Sequence, residues 1–238
     1  MKKELIKLKE EVFNANIALF NSGLVPFTFG NVSGLDESGK IMGIKPSGVE
    51  YAKMKLEDIV LLDLDGNIIE STLNPSSDTK THIELYKHFK GIRGIVHTHS
   101  EYATSWSQSK KAIPCLGTTH ADYFYGDIPC TNVISDIEID SDYEKETGQL
   151  IIATFEKKKI NHMDVRACLV ACHGPFTWGS SPAEAVEVSM ILEIIAKTSY
   201  ISLNIDSSIK SIKQTLLDKH YLRKHGKQAY YGQKTIKI

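Results

Sequence analysis

The stretch from Ile41 to Glu70 restricts the fold most. It carries three short apolar runs, Ile41 to Ile44, Ile59 to Leu64 and Asn67 to Glu70. Asp65-Gly66 separates the last two, and an Asp-Gly pair between apolar runs favours a tight hairpin because glycine takes positive φ without steric cost. The runs cluster without the regular strand-helix-strand alternation of a doubly wound sheet, so the chain reads as a layered α/β domain around a largely antiparallel sheet.

Helices are expected on either side of these strands. Leu5, Leu8, Val12, Asn16 and Leu19 fall on one helical face and Gly23 suits a C-terminal cap, which predicts a helix over residues 3–22. Asp78 is placed to cap a helix carrying Ile83, Leu85, Tyr86 and Phe89, after which Gly94 to Ser100 reads as a buried strand. Ala167 to His173 reads as a second buried strand. Ser181-Pro182-Ala183-Glu184 joins an N-cap, a first-turn proline and a capping-box acid ahead of an apolar helix to about Tyr200. A last helix is predicted from Ser207 to His225, stopped by Gly226. Residues 136–159 are charged enough to be exposed, although Ile151, Ile152 and Phe155 share one helix face.

With 238 residues, 42% hydrophobic and 24% charged, the chain is expected to form one domain spanning residues 1–238. Lys plus Arg (28) balances Asp plus Glu (29), so there is no global basic field to recruit nucleic acid or an anionic membrane. Met1 to Glu11 lacks the apolar segment of a signal peptide, and Val188 to Ala196 is too short to span a bilayer; a cytoplasmic protein with a small-molecule partner is expected. Cys115, Cys130, Cys168 and Cys172 show no C-x-x-C pair and read as reduced thiols, with Cys172 in the core.

Chemistry is concentrated in a few segments. His97-Thr98-His99 ends the strand beginning at Gly94, and the two-residue period of a strand points both imidazoles to one side. His173 ends the other apolar strand just before Gly174-Pro175, where a third imidazole can project. Three imidazoles with an open position make a catalytic Zn²⁺ site, since structural sites are closed by four protein ligands. An H-x-H pair alone is weak evidence, and Asp78 by local sequence fits a helix cap better than a ligand. His82, His88, His120, His162 and His225 lack a comparable pattern and read as structural or solvated.

Gly30-Asn31-Val32-Ser33, Lys45-Pro46-Ser47-Gly48 and Ser76-Ser77 are short loops rich in glycine and hydroxyl donors, suited to a phosphate group. Asp122, within Thr118 to Tyr123, is a candidate general acid or base, with a surface turn as the alternative. The polar tail containing Tyr230 and Tyr231 is suited to docking on another surface.

Together, Gly-Asn-Val-Ser at 30–33, Lys-Pro-Ser-Gly-Val-Glu-Tyr at 45–51, Pro-Ser-Ser-Asp-Thr at 75–79, His-Thr-His-Ser at 97–100 and His-Gly-Pro-Phe at 173–176 resemble the class II aldolase superfamily. Residues 117–126 and 216–226, with the Tyr-Tyr-Gly-Gln tail, resemble its L-ribulose-5-phosphate 4-epimerase family. The resemblance implies a three-layer αβα fold around a largely antiparallel sheet, and a homotetramer with active sites between subunits. It implies a divalent metal, Zn²⁺ with Mn²⁺ as the alternative, held by Asp78, His97, His99 and His173. It further implies phosphosugar contacts from Gly30, Asn31, Ser47, Gly48, Ser76 and Ser77, and an acid/base pair of Asp122 and Tyr231.

The expected reaction is inversion at C4 of L-ribulose 5-phosphate, giving D-xylulose 5-phosphate. C4 is not adjacent to the C2 carbonyl, so its hydrogen is not acidic; the C3–C4 bond, however, is an aldol bond. Retro-aldol cleavage to a metal-bound enediolate, rotation of the aldehyde fragment and re-addition invert C4. A sugar-phosphate aldolase and a non-catalytic adducin-head-like scaffold are the alternatives. Service in arabinose breakdown or in another route to the same ketopentose phosphate stays open.

Overall fold

The hairpin expected at Asp65-Gly66 forms in the computed structural model, which describes residues 2–226 and 229–230. Strand β3 (Val60–Asp63) pairs antiparallel with β4 (Ile68–Glu70), and Gly66 turns at φ +89°. The other strands are β1 (Asn31–Leu35), β2 (Ile41–Ile44), β5 (Gly94–His97), β6 (Ala167–Leu169) and β7 (Pro175–Gly179). They make one seven-stranded sheet in the order β4-β3-β2-β1-β5-β7-β6. Every neighbouring pair is antiparallel.

Alternation along the strands builds a core on each face of the sheet. Val32, Leu61 and Val96 pack with Leu8, Val12, Ala15 and Leu19 of helix α1 (Lys2–Asn21). Leu35, Leu62 and Ile95, from the same strands, join the opposite cluster. There they meet α2 (Thr79–His88) through Ile83 and Leu85, and α5 (Asp136–Lys158) through Ile151, Ile152 and Phe155. Each such aliphatic side chain contributes about 1.5–3 kcal/mol on burial, so the two-faced pattern selects the three-layer arrangement over any that exposes one face.

Helix α6 (Pro182–Ile205) begins where Ser181 and Pro182 announce it, with the Ser181 hydroxyl accepting from the Glu184 amide. The Glu184 carboxylate does not close the box on Ser181; it accepts from the Ser180 amide and pairs with Arg166. The helix runs past Tyr200 to Ile205 and is long and apolar enough, by length and composition, to cross a membrane. It is a core element of this fold: Val188, Leu192, Ile195 and Ala196 are buried in the cluster that covers β5 and β7.

Several boundaries differ from expectation. Strand β5 stops at His97, leaving His99 beyond it, before α3 (Glu101–Gln108). The run from Ala167 is a strand only to Leu169; a tight turn follows, in which the Val170 amide donates to Gly174 O and the His173 amide to Val170 O. That turn carries Cys172 at φ +65° and exposes it, so the alternation that put Cys172 in the core does not apply. Helix α7 spans Gln214–His225, starting later than Ser207, because the Ile212 amide is tied to Cys115 O in a non-helical segment.

Candidate metal centre

The register of β1 against β5 sets Asn31 opposite His97, at one end of the central strands. Gly30, just before Asn31, has φ +70°, and a Cβ there would lie 2.7 Å from His97 O. Gly174 approaches from the other side, where a Cβ would meet Thr98 O at 2.7 Å and His97 Cε1 at 3.3 Å. The backbone thus closes around His97 to a distance that side chains would forbid.

His97, His99 and His173 converge: one ring nitrogen of each lies within 4.8 Å of the others. His97 Nδ1 donates to Pro175 O at 3.0 Å, which fixes the tautomer and leaves the Nε2 lone pair facing His99 Nε2, also at 3.0 Å. Burial lowers the pKa of His97 and His99 and brings His173 down to about 4, so all three imidazoles are neutral at pH 7, the form that can coordinate a metal. His173 also has Tyr143 Oη 3.4 Å from its Nδ1.

Asp78 stands at the N-cap position of α2, yet its side chain makes no capping hydrogen bond, contrary to the local reading. Its Oδ2 accepts from Asn31 Nδ2 at 2.6 Å, and the residue lines the same cavity as the three imidazoles. Burial favours the neutral acid, but the electrostatic pull of His97, His82 and His173 with the Asn31 bond outweighs it and lowers the pKa. Converging neutral nitrogens beside a carboxylate suit a divalent cation, and on the same wall Asn31 Oδ1 is a buried acceptor with no hydrogen-bond partner among the described residues.

The cavity measures about 350 Å³, and Gly30, Asn31, Ser47, Gly48, Ser76, Ser77, Asp78, His97, His99 and His173 all line it. The loops come together because Ser76 N donates to Lys45 O and Ser47 N to Asn74 O. Lys45 is buried on the same wall, and desolvation lowers its pKa to about 8. Its Nζ lies 4.7 Å from the centroid of the Tyr51 ring.

Asp122 is not among the residues lining the cavity. It follows α4 (Thr118–Ala121), where Arg223 of α7 donates to both carboxylate oxygens at 2.9 Å and His220 Nδ1 lies 3.1 Å away. Tyr231 lies outside the described residues. Within one chain, the expected metal and phosphate residues therefore come together and Asp122 stands apart from them.

Two residues that build the site escape a reading of the sequence. Glu193 of α6 accepts from Ser100 Oγ and from the amides of Tyr102 and Ala103 at 2.7–2.9 Å, anchoring the segment that carries His99. An acid inside the run Met190-Ile-Leu-Glu-Ile-Ile was the available signal. Tyr51, read as part of a motif, is buried and shares its hydroxyl between Phe29 O and Gly30 O at 3.1 and 3.0 Å.

A family model described as the Class II Aldolase and Adducin N-terminal domain matches residues 10–200. The chain belongs to the class II aldolase family. It is 47% identical over 228 residues to the L-ribulose-5-phosphate 4-epimerase UlaF of Salmonella paratyphi C, covering 96% of this chain and 99% of that protein. The UlaF protein of Salmonella typhi is 46% identical over the same proportions. Among solved structures, an L-fuculose 1-phosphate aldolase superposes with a TM-score of 0.74 at 22% identity, over 90% of this chain and 94% of that one. A sugar-phosphate aldolase from Thermotoga maritima superposes with a TM-score of 0.65 at 19% identity, over 84% and 96%. At these identities the structural likeness bears on the fold, which is that of the class II aldolases.

Proposed function

We propose that the chain inverts C4 of L-ribulose 5-phosphate to give D-xylulose 5-phosphate. The observation that carries this is the cavity itself, with three neutral imidazoles and Asp78 beside loops lined by Ser47, Gly48, Ser76 and Ser77. The near full-length likeness to proteins named L-ribulose-5-phosphate 4-epimerase supports it.

His97, His99, His173 and Asp78 hold a divalent cation, Zn²⁺ or Mn²⁺. When bound, it supplies Lewis acidity at the C2 carbonyl and C3 hydroxyl oxygens of the ketopentose phosphate. The Ser47-Gly48 and Ser76-Ser77 loops and the Lys45 ammonium hold the phosphate, which keeps the C4–C5 fragment in place when the C3–C4 bond opens. Asn31 spans both functions, since its amide nitrogen donates to Ser76 Oγ and to Asp78 Oδ2 and so ties a phosphate-side loop to the metal-side carboxylate.

Inversion needs a base on one side of the C4 oxygen and an acid on the other, and Asp122 and Tyr231 take these roles. Because Asp122 does not line the cavity of its own chain, each site is completed between subunits of a closed homotetramer, with Asp122 and Tyr231 coming from different chains. A soluble, cytoplasmic enzyme with a small phosphorylated substrate, and with neither nucleic acid nor membrane as partner, completes the reading.

Incubating metal-loaded protein with L-ribulose 5-phosphate and identifying the pentulose product tests it. D-xylulose 5-phosphate is expected, with activity lost on chelation and recovered with Zn²⁺ or Mn²⁺. The fold likeness to an L-fuculose 1-phosphate aldolase favours net cleavage as the second reading. Accumulation of two fragments in place of the epimer would establish that instead.

A further inference from the structure

The segment leading into Gly30 presents two phenyl rings where a folding argument alone would not put them. Phe27 is 78% exposed and Phe29 is 52% exposed, although each ring gains most by leaving water. Phe27 also sits at φ +55°, a left-handed conformation that costs a bulky L-residue about 1–2 kcal/mol. The segment is nonetheless firmly held. Tyr51 grips the carbonyls of Phe29 and Gly30, with Phe20 stacked on the Tyr51 ring at 5.3 Å, and Gly30 lies against His97 O and Val25.

This anchoring gives the rings a defined place. Phe29 lines the cavity, with its centroid 6.0 Å from that of His99, and Phe27 meets it edge-on at 6.1 Å. Of the three converging imidazoles, His99 is the exposed one, so the pair stands at the open side of the imidazole end. At the polar loops of Ser47, Gly48, Ser76 and Ser77 the lining among the described residues adds Pro46 but no aromatic ring.

We propose that Phe27 and Phe29 form an aromatic lip that decides between epimerisation and net cleavage, by keeping water from the three-carbon fragment and the two-carbon fragment from leaving. This rests on the epimerase reading. When C3–C4 breaks, the C4 hydroxyl gives its proton to the base and becomes the aldehyde of glycolaldehyde phosphate. The bonding pair stays on C3 as the enediolate of dihydroxyacetone. If water then protonates C3, re-addition is lost and dihydroxyacetone and glycolaldehyde phosphate are released, which is the outcome an aldolase needs. An epimerase needs both fragments enclosed until the aldehyde has turned its other face, and an apolar wall excludes water without offering a competing proton.

The test follows metal-loaded enzyme and L-ribulose 5-phosphate by ³¹P NMR, which resolves substrate, epimer and glycolaldehyde phosphate in one tube. Phe29→Ala should raise the aldehyde share of product at least tenfold over the wild type at unchanged metal content, and Phe29→Trp should restore the wild-type share. Phe27→Ala, more remote from His99, should raise it about threefold. Wild-type protein that forms no D-xylulose 5-phosphate would refute the epimerase reading and the lip with it. Wild-type epimerisation with an unchanged aldehyde share in both alanine variants overturns the lip alone. So does a Phe29→Ala protein that has lost metal or dissociated into smaller oligomers, since the ring would then be support for His99 or an interface contact.

Discussion

Replacing Glu193 with alanine should loosen the imidazole centre from a helix that contributes no ligand. The carboxylate takes three hydrogen bonds at the start of α3, from Ser100 Oγ at 2.8 Å, the Tyr102 amide at 2.7 Å and the Ala103 amide at 2.9 Å. Bonds to a charged group are worth about 1.5–3 kcal/mol each, so the gross interaction is roughly 5–9 kcal/mol. Two effects reduce the net loss. Glu193 is half-buried, and in the variant the Ser100 hydroxyl is free to take up the ordinary N-cap role, which returns about 1–2 kcal/mol. A destabilisation of about 3 kcal/mol remains, with about half of it in Glu193→Gln, which keeps one acceptor and loses the charge. Because His99 directly precedes Ser100 and lies beyond the end of β5, its orientation should suffer while His97, within the strand, holds. Metal affinity should fall at least tenfold, equivalent to about 1.4 kcal/mol. Urea unfolding of metal-free protein gives the first quantity and competition with a chromophoric chelator the second. A stability loss below about 1 kcal/mol would refute the capping argument, and unchanged metal affinity in a destabilised variant would refute the link to His99.

Lys45 gives a pH signature: its ammonium deprotonates near pH 8, so KM for the phosphorylated substrate should rise as pH increases through that value. Lys45→Met should raise KM about 10–100-fold at pH 7 and remove this rise, as loss of one charge-assisted contact requires. His120 is buried, its Nδ1 has no hydrogen-bond partner among the described residues, and burial brings its pKa down to about 4 from an ordinary 6.5. The unfolded chain therefore binds the proton more readily, and stability present above pH 6.5 should be lost as pH falls from 6.5 toward 4. The urea midpoint of metal-free protein between pH 7 and 5 measures this, and His120→Gln should flatten part of the slope. Asp122→Asn and Tyr231→Phe should each be nearly inactive alone, but co-refolded at equal ratio they should regain about one quarter of intact sites if the two groups come from different chains. No recovery in size-verified mixed tetramers would place both in one chain.

Much of the architecture is legible in the order of the residues because the signals are local. Asp65-Gly66 makes its hairpin, the face of Leu8, Val12 and Leu19 makes a helix, and Ser181-Pro182 starts another. The motif residues Gly30, Asn31, Ser47, Gly48, Ser76, Ser77, Asp78, His97, His99 and His173 all stand out along the chain, and all line one cavity. Their meeting is not local information. It depends on the antiparallel register that sets Asn31 opposite His97, and on a turn at residues 170–174 that an apolar run cannot announce. Strand alternation misplaces Cys172 for the same reason, since a residue at φ +65° obeys the turn and not the pleat. Asp78 looks like a cap because sequence shows which residue precedes a helix and not where its carboxylate turns; tertiary contact with Asn31 and the imidazoles draws it into the cavity. Composition and short-range pattern thus determine which elements form and which groups carry chemistry. Packing of distant segments decides what Glu193, Tyr51 and Arg223 do, because each acts on a partner at least 21 residues away, beyond the reach of any periodicity.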